Sequence, residues 1–141
     1  MKDLYNNLLP EVSFYPLLKT APADGDAIVD LQGFEGALII ITAGAIADAA
    51  SGLYTFELKH GDDSGLSDEA AVPAADLLGS EPSFIPITGG THEENISKSF
   101  GYVGTKRYLR IDLVAVGVTP DTGGTFSGVI VKGIARRAPA V

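Results

Sequence analysis

The residues of this chain best suited to chemistry are its two histidines and its clustered carboxylates. His60 precedes Gly61-Asp62-Asp63, and His92 precedes Glu93-Glu94. Two imidazoles with neighbouring carboxylates form an acceptable ligand set for zinc or manganese. Both histidines also sit in polar stretches where acids are common, so the same neighbours arise without an ion. Asp24-Gly25-Asp26, and Asp62-Asp63-Ser64-Gly65 followed by Asp68-Glu69, raise calcium, a hard ion bound by loop carboxylates and carbonyls. Neither stretch has the spacing of a helix–loop–helix calcium site, and Asp and Gly are ordinary residues of tight turns. With 18 acids in the chain, close carboxylate pairs are expected, and none stands out as a glycosidase pair.

Other catalytic patterns are missing. There is no Gly-x-Ser-x-Gly elbow, no phosphate loop ending in Gly-Lys-Ser/Thr, no Gly-x-Gly-x-x-Gly and no His-Glu-x-x-His. The chain has no cysteine, which excludes a disulfide framework, a thiolate zinc site, an iron–sulfur cluster and a cysteine nucleophile. The expectation is a protein without catalytic residues, resident metal or cofactor, and not an enzyme.

Charge is unevenly distributed. From Ala21 to Ser97 there are fourteen acids and one base, Lys59, whereas from Lys98 onward there are seven bases and two acids. The net charge of -8 argues against nucleic acid as the main partner, because binding it requires neutralising phosphates. The start of the chain places an acid and two amides where a signal peptide carries its apolar stretch. The longest strongly apolar run, Ala37 to Ile41, is far short of the ~20 residues that cross a bilayer, so no membrane partner is expected.

These residues must be positioned by short strands. Glycine and proline cut the 141 residues into segments that alternate or are β-branched, the pattern of an all-β domain. Residues 1–11 read as an N-terminal arm, 12–136 as one β-sandwich of jelly-roll or Greek-key type, and 137–141 as an exposed tail. Within the sandwich, a strand over 12–20 carries Phe14, Pro16 and Leu18 on one side, and the proline marks it as an edge strand. Val29 and Leu31 lie in a half-buried strand. Leu38 to Ile41 has no polar face and reads as a central strand covered on both sides.

Small residues over 45–51 form a connection. Tyr54, Phe56 and Leu58 alternate with Thr55, Glu57 and Lys59, the clearest strand in the chain. Pro73 starts a short helical turn, and 84–87 a brief strand. Two further strands cover 96–103 and 106–116, the latter with Leu109, Ile111 and Leu113 inward. A loop spans 118–124, and 125–135 closes the sheet.

Two groups of residues remain as partner contacts. Leu4, Tyr5, Leu8 and Leu9 are too apolar for a free arm and must pack on the chain's own sandwich or on a neighbouring subunit. Lys106, Arg107 and Arg110 surround Tyr108 and form either a docking strand for an acidic partner or a solvated strand face, since the outer face of such a sandwich is expected to be polar.

The phrases Val29-Asp30-Leu31-Gln32-Gly33-Phe34-Glu35-Gly36-Ala37, Asp76-Leu77-Leu78-Gly79 and Gly101-Tyr102-Val103-Gly104-Thr105-Lys106-Arg107-Tyr108-Leu109-Arg110 resemble a group of small tailed-bacteriophage and prophage proteins. The resemblance spans roughly residues 25 to 135. It implies a structural virion protein of the head module, a capsid decoration or cement protein. Its partner would be the major capsid protein, it would be a homo-oligomer, and it would lie on the capsid surface after assembly in the host cytoplasm. Lys106 to Ile111 also resembles a strand of discoidin-like carbohydrate-binding jelly rolls, which implies a glycan-binding module instead. A low-copy neck or tail-completion protein fits the same phage context.

Overall fold

The computed structural model describes residues 3–46, 53–87, 91–115 and 123–135. Most of the 45–51 connection, most of the 118–124 loop and the tail from residue 136 lie outside the described residues. In chain order the strands are β1 (Leu9–Lys19), β2 (Val29–Asp30), β3 (Phe34–Ile46), β4 (Tyr54–Gly61), β5 (Ala70–Ala71) and β6 (Leu77–Leu78). They continue with β7 (Ser83–Phe84), β8 (Pro86–Ile87), β9 (Thr91–His92), β10 (Ile96–Tyr102), β11 (Tyr108–Ala115) and β12 (Gly124–Ala135). The only helical element among the described residues is a single 3-10 turn at Ala74–Asp76, directly after Pro73.

The fold is all-β, built on two antiparallel sheets. Sheet A has the order β1-β12-β3-β10-β6, and sheet B the order β2-β11-β4-β5 with β7 also on β4. The strands β8 and β9 pair separately. Alternation explains how the two sheets join. Ile39, Ile41, Phe100, Phe126 and Ile130 turn inward from sheet A and meet Tyr54, Phe56, Leu58, Leu109, Ile111 and Leu113 from sheet B. Phe56 is the hub, with ring centroids 5.4 Å from Phe14, 5.2 Å from Phe126 and 6.0 Å from Phe84, mostly edge to face. Such aromatic geometry adds about 0.5–1.5 kcal/mol per pair beyond area burial.

Two sequence expectations change in detail. The first strand is at the edge of its sheet, as Pro16 predicts, but it starts at Leu9 and so takes in part of the expected arm. Its register against β12 slips between Val12 and Phe14 and again between Phe14 and Leu17. Those bulges break the alternation, so Phe14 is buried while Leu18 is exposed. The run at Leu38 to Ile41 is central, between β12 and β10, yet it is covered on one side only. Ile39 and Ile41 are fully buried, whereas Leu38 is 44% exposed on the opposite face.

A buried serine ties the two sheets. Ser13 of β1 accepts a hydrogen bond from Ile111 N (3.0 Å) and donates to Ala27 O (2.7 Å), while its carbonyl accepts from Ala27 N (3.0 Å). The edge strand of sheet A is thereby fastened to sheet B.

Candidate partner-binding site

The outer face of sheet A follows from the ladder register, since directly opposed residues share a face. One row crosses all five strands as Pro10, Val131, Leu38, Gly101 and Leu78. The next row is Val12, Val129, Ile40 and Ser99, and the third is Ser127, Thr42 and Ser97. Thr42 and Ser97 share a hydroxyl hydrogen bond of 2.9 Å, which satisfies both within the sheet. At the other end Gly133 opposes Gly36, and Leu8 from the arm lies against Gly133. None of these outward positions carries a charge. Leu38 and Leu78 stand up from the face, and Leu78 is 61% exposed. Gly36, Gly101 and Gly133 leave a groove of about 280 Å³ beside them.

The arm borders this face. Asp3 caps a single turn by accepting from Asn6 N (3.0 Å), and Leu8 N donates to Leu4 O (3.0 Å), so the paired asparagines support a turn here. The turn gathers Leu4, Tyr5, Leu8 and Leu9 with Pro10 and Val131 around an apolar hollow of about 430 Å³. Leu8 and Leu9 are half-buried on the chain's own sheet, while Leu4 is exposed and Tyr5 is 89% exposed. The four arm residues singled out by sequence therefore come together, contiguous with the uncharged face through Leu8 and Val131.

The three basic residues lie elsewhere and do not join the arm. Arg110 is only 9% exposed, so it stands neither on an open docking strand nor on a solvated strand face, the two places expected for it. It makes two bonds to Asp112 (2.6 and 2.7 Å) and one to Glu69 (2.7 Å), with Asp24 at 3.6 Å. The hydrogen bonds to Asp112 raise its proton affinity further and hold it permanently charged. Asp112 also accepts from Gly25 N (2.8 Å), so the cluster pins the Asp24-Gly25-Asp26 turn onto sheet B. Glu57 and Lys59 pair with each other on the neighbouring strand.

Lys106 pairs with Asp62, and Arg107 grips both oxygens of Asp30 (2.8 Å each) and Gln32 (2.6 Å). Arg107 holds the Asp30 carboxyl below the usual carboxylate range. Both bases line a cleft of about 460 Å³ between residues 31–35 and 103–107. Two of the three phrases quoted above meet in this cleft. The third, Asp76 to Gly79, pairs with β10 through Leu77 and Leu78 and accepts Val103 N at Asp76 O (2.9 Å).

His60 faces the interior, with Nδ1 3.1 Å from the Tyr102 hydroxyl, and that hydroxyl accepts Lys106 N (3.1 Å). Burial lowers the His60 pKa and pushes Tyr102 up to about 12, so the uncharged forms of both groups are favoured at pH 7. The His92 side chain lies outside the described residues. Among the described residues no three His, Asp or Glu side chains are grouped to hold a metal ion. The acids at 62–68 serve backbone turns: Asp68 accepts from Asp62 N and Asp63 N, and Asp63 from Gly65 N and Ser67 N.

Sequence reading missed the outer face of sheet A. Its signal was available in 125–133, where Ser127, Val129, Val131 and Gly133 occupy every alternate position without a charge. The expectation of a polar outer face holds for sheet B and fails for sheet A.

No protein-family model matches the chain, and no curated protein matches it. Among solved structures, the fold is similar to that of the SPBc2 prophage-derived protein YomS, at 14% sequence identity and a TM-score of 0.47. The alignment covers 89% of this chain and 94% of that one.

Proposed function

We propose that this chain is a structural virion protein of a tailed phage, a capsid decoration protein that sits on the outside of the head and bridges subunits of the major capsid protein. The observation that carries the reading is the charge-free outer face of sheet A in a chain of net charge -8. An uncharged sheet face from which Leu38 and Leu78 protrude favours a protein–protein contact. The exposed Leu4 and Tyr5 at its border are the contacts that reach the shell, in keeping with the resemblance of the three phrases to head-module proteins.

On this reading the strands follow a jelly-roll or Greek-key path, and the work done is mechanical. The protein turns over no substrate and needs no cofactor. Stability of the shell against internal pressure comes from non-covalent bridges.

The test is the copy number of this chain in purified particles, relative to the major capsid protein, by quantitative mass spectrometry. A ratio comparable to the capsid subunit's is expected. A handful of copies per particle would move the protein to the neck or tail, and absence from particles would sink the virion reading. Removal of residues 1–8 is expected to leave the sandwich folded and to reduce attachment to particles.

A further inference from the structure

We infer that the outer face of sheet A is covered by a second copy of this chain, two copies packing face to face about a two-fold axis. The inference rests on the reading above only in treating this face as buried in the assembly.

Charge is the first argument. Two copies of net charge -8 repel on encounter, and burying like charges between them is costly. Sheet A offers a face on which they can meet without doing so, because its outward rows are Val, Leu, Ile, Pro, Gly, Ser and Thr. Stacked sheets lie about 10 Å apart, so the order B–A–A–B leaves the two charged outer faces of sheet B about 30 Å from one another. That is several times the ~8 Å Debye length at physiological ionic strength, so their repulsion is screened. A basic partner would instead call for acids on this face, and its described outward rows carry none.

Shape is the second argument. An isologous contact needs a patch that complements itself. Leu38 and Leu78 flank Gly101 in one row, and together with Gly36 and Gly133 they line a shallow groove. A two-fold axis lays the ridge of each copy into the groove of the other. The rows and strands cover about 20 Å by 20 Å, roughly half of the ~800 Å² that one partner contributes to a standard interface. The pair is therefore expected to dissociate in the micromolar range in solution and to be held on a particle by two arms, one from each copy.

The experiment is sedimentation equilibrium of the full chain over a concentration series, with particle binding measured in parallel. A monomer–dimer equilibrium is expected, with the dimer at twice 14.6 kDa and no weakening at high salt. Leu38→Asp is expected to weaken pairing at least tenfold. Ser99→Arg, at an exposed position where no packing is lost, is expected to do the same with an unchanged circular dichroism spectrum. Ser64→Asp, in an exposed loop off this face, is expected to change nothing. A wild-type chain that stays monomeric up to about 1 mM, or a Ser99→Arg chain that pairs normally, overturns the inference. Neither result touches the copy number in particles, whose failure would overturn the decoration reading and leave the pairing intact.

Discussion

The outer faces of sheets A and B make the most informative comparison in the molecule. Both are presented by long antiparallel strands of the same two-layer structure, yet one is uncharged and the other is studded with ion pairs in which carboxylates outnumber cations. On sheet B, Arg110 is enclosed by Asp112, Glu69 and Asp24, and Glu57 pairs with Lys59. These named side chains are engaged with one another inside the chain, so a second protein gains little by approaching them. On sheet A, Leu38 is 44% and Leu78 61% exposed. A face whose charged side chains bond to one another supports the fold, whereas an uncharged, exposed face is the one the proposed assembly would use.

The comparison breaks most directly at Arg110. Arg110→Ala leaves Asp112 buried without its cation, and the expected loss is about 3–5 kcal/mol, read from the urea midpoint. A loss within experimental error would mean that the cluster is as solvated as an ordinary surface pair. Gly25→Ala attacks the same face from its covering turn. An added Cβ would lie 2.4 Å from Ile111 O and 2.7 Å from Arg110 Cγ, so the turn must lift, at an expected cost of about 1–3 kcal/mol in the same assay.

Smaller effects sharpen the picture. Because burial depresses the His60 pKa, the unfolded chain takes up a proton more readily than the folded one. Stability is therefore full above the ordinary histidine pKa of ~6.5 and falls as pH drops below it. His60→Asn is expected to remove that slope in denaturation curves between pH 7 and pH 5. The loss from Asp30, whose carboxyl is depressed by Arg107, begins only as pH falls through the ordinary carboxylate range, and remains in the variant. The smallest effect is expected on sheet A: Leu38→Ala should change the monomer's stability by less than about 1 kcal/mol. The adjacent inward Ile39→Ala should cost about 2–5 kcal/mol by thermal or chemical melting. Equal losses at the two positions would show that the outer face is already covered within the chain.

Much of the fold was legible because burial on one side writes itself into alternation. Tyr54, Phe56 and Leu58 announced β4, and Leu109, Ile111 and Leu113 announced β11. The central place of Leu38 to Ile41 is legible too, but the unbroken apolar run predicts cover on both faces, whereas Leu38 is 44% exposed. Periodicity records that a side chain is apolar and is silent on whether its cover belongs to the same chain. The bulges in β1 were hidden because they depend on what β12 and Ile111 offer to Ser13 and Phe14. Arg110 and Asp112 share a strand face at a spacing of two, which hints at their pair, but Glu69 and Asp24 reach them only through the folded topology. The arm residues were recognised from composition alone, and their adjacency to the open face came from the pairing of Pro10 with Val131.

The position of β12 has a consequence for the order in which the molecule can form. It lies between β1 and β3, pairing with the first along Leu9–Lys19 and with the second along Phe34–Ile46, although it is the last of these strands to be synthesised. Until Gly124–Ala135 has left the ribosome, β1 has no neighbour in its sheet and β3 has only β10. Sheet A is therefore completed after translation of its final strand, and a nascent chain carries the Leu38 edge unpaired for most of its synthesis. Closure through such distant segments is slow compared with local hairpins. A stop codon before residue 124 would remove the middle of the sheet rather than its margin, which makes the late part of the message the part on which the whole layer depends.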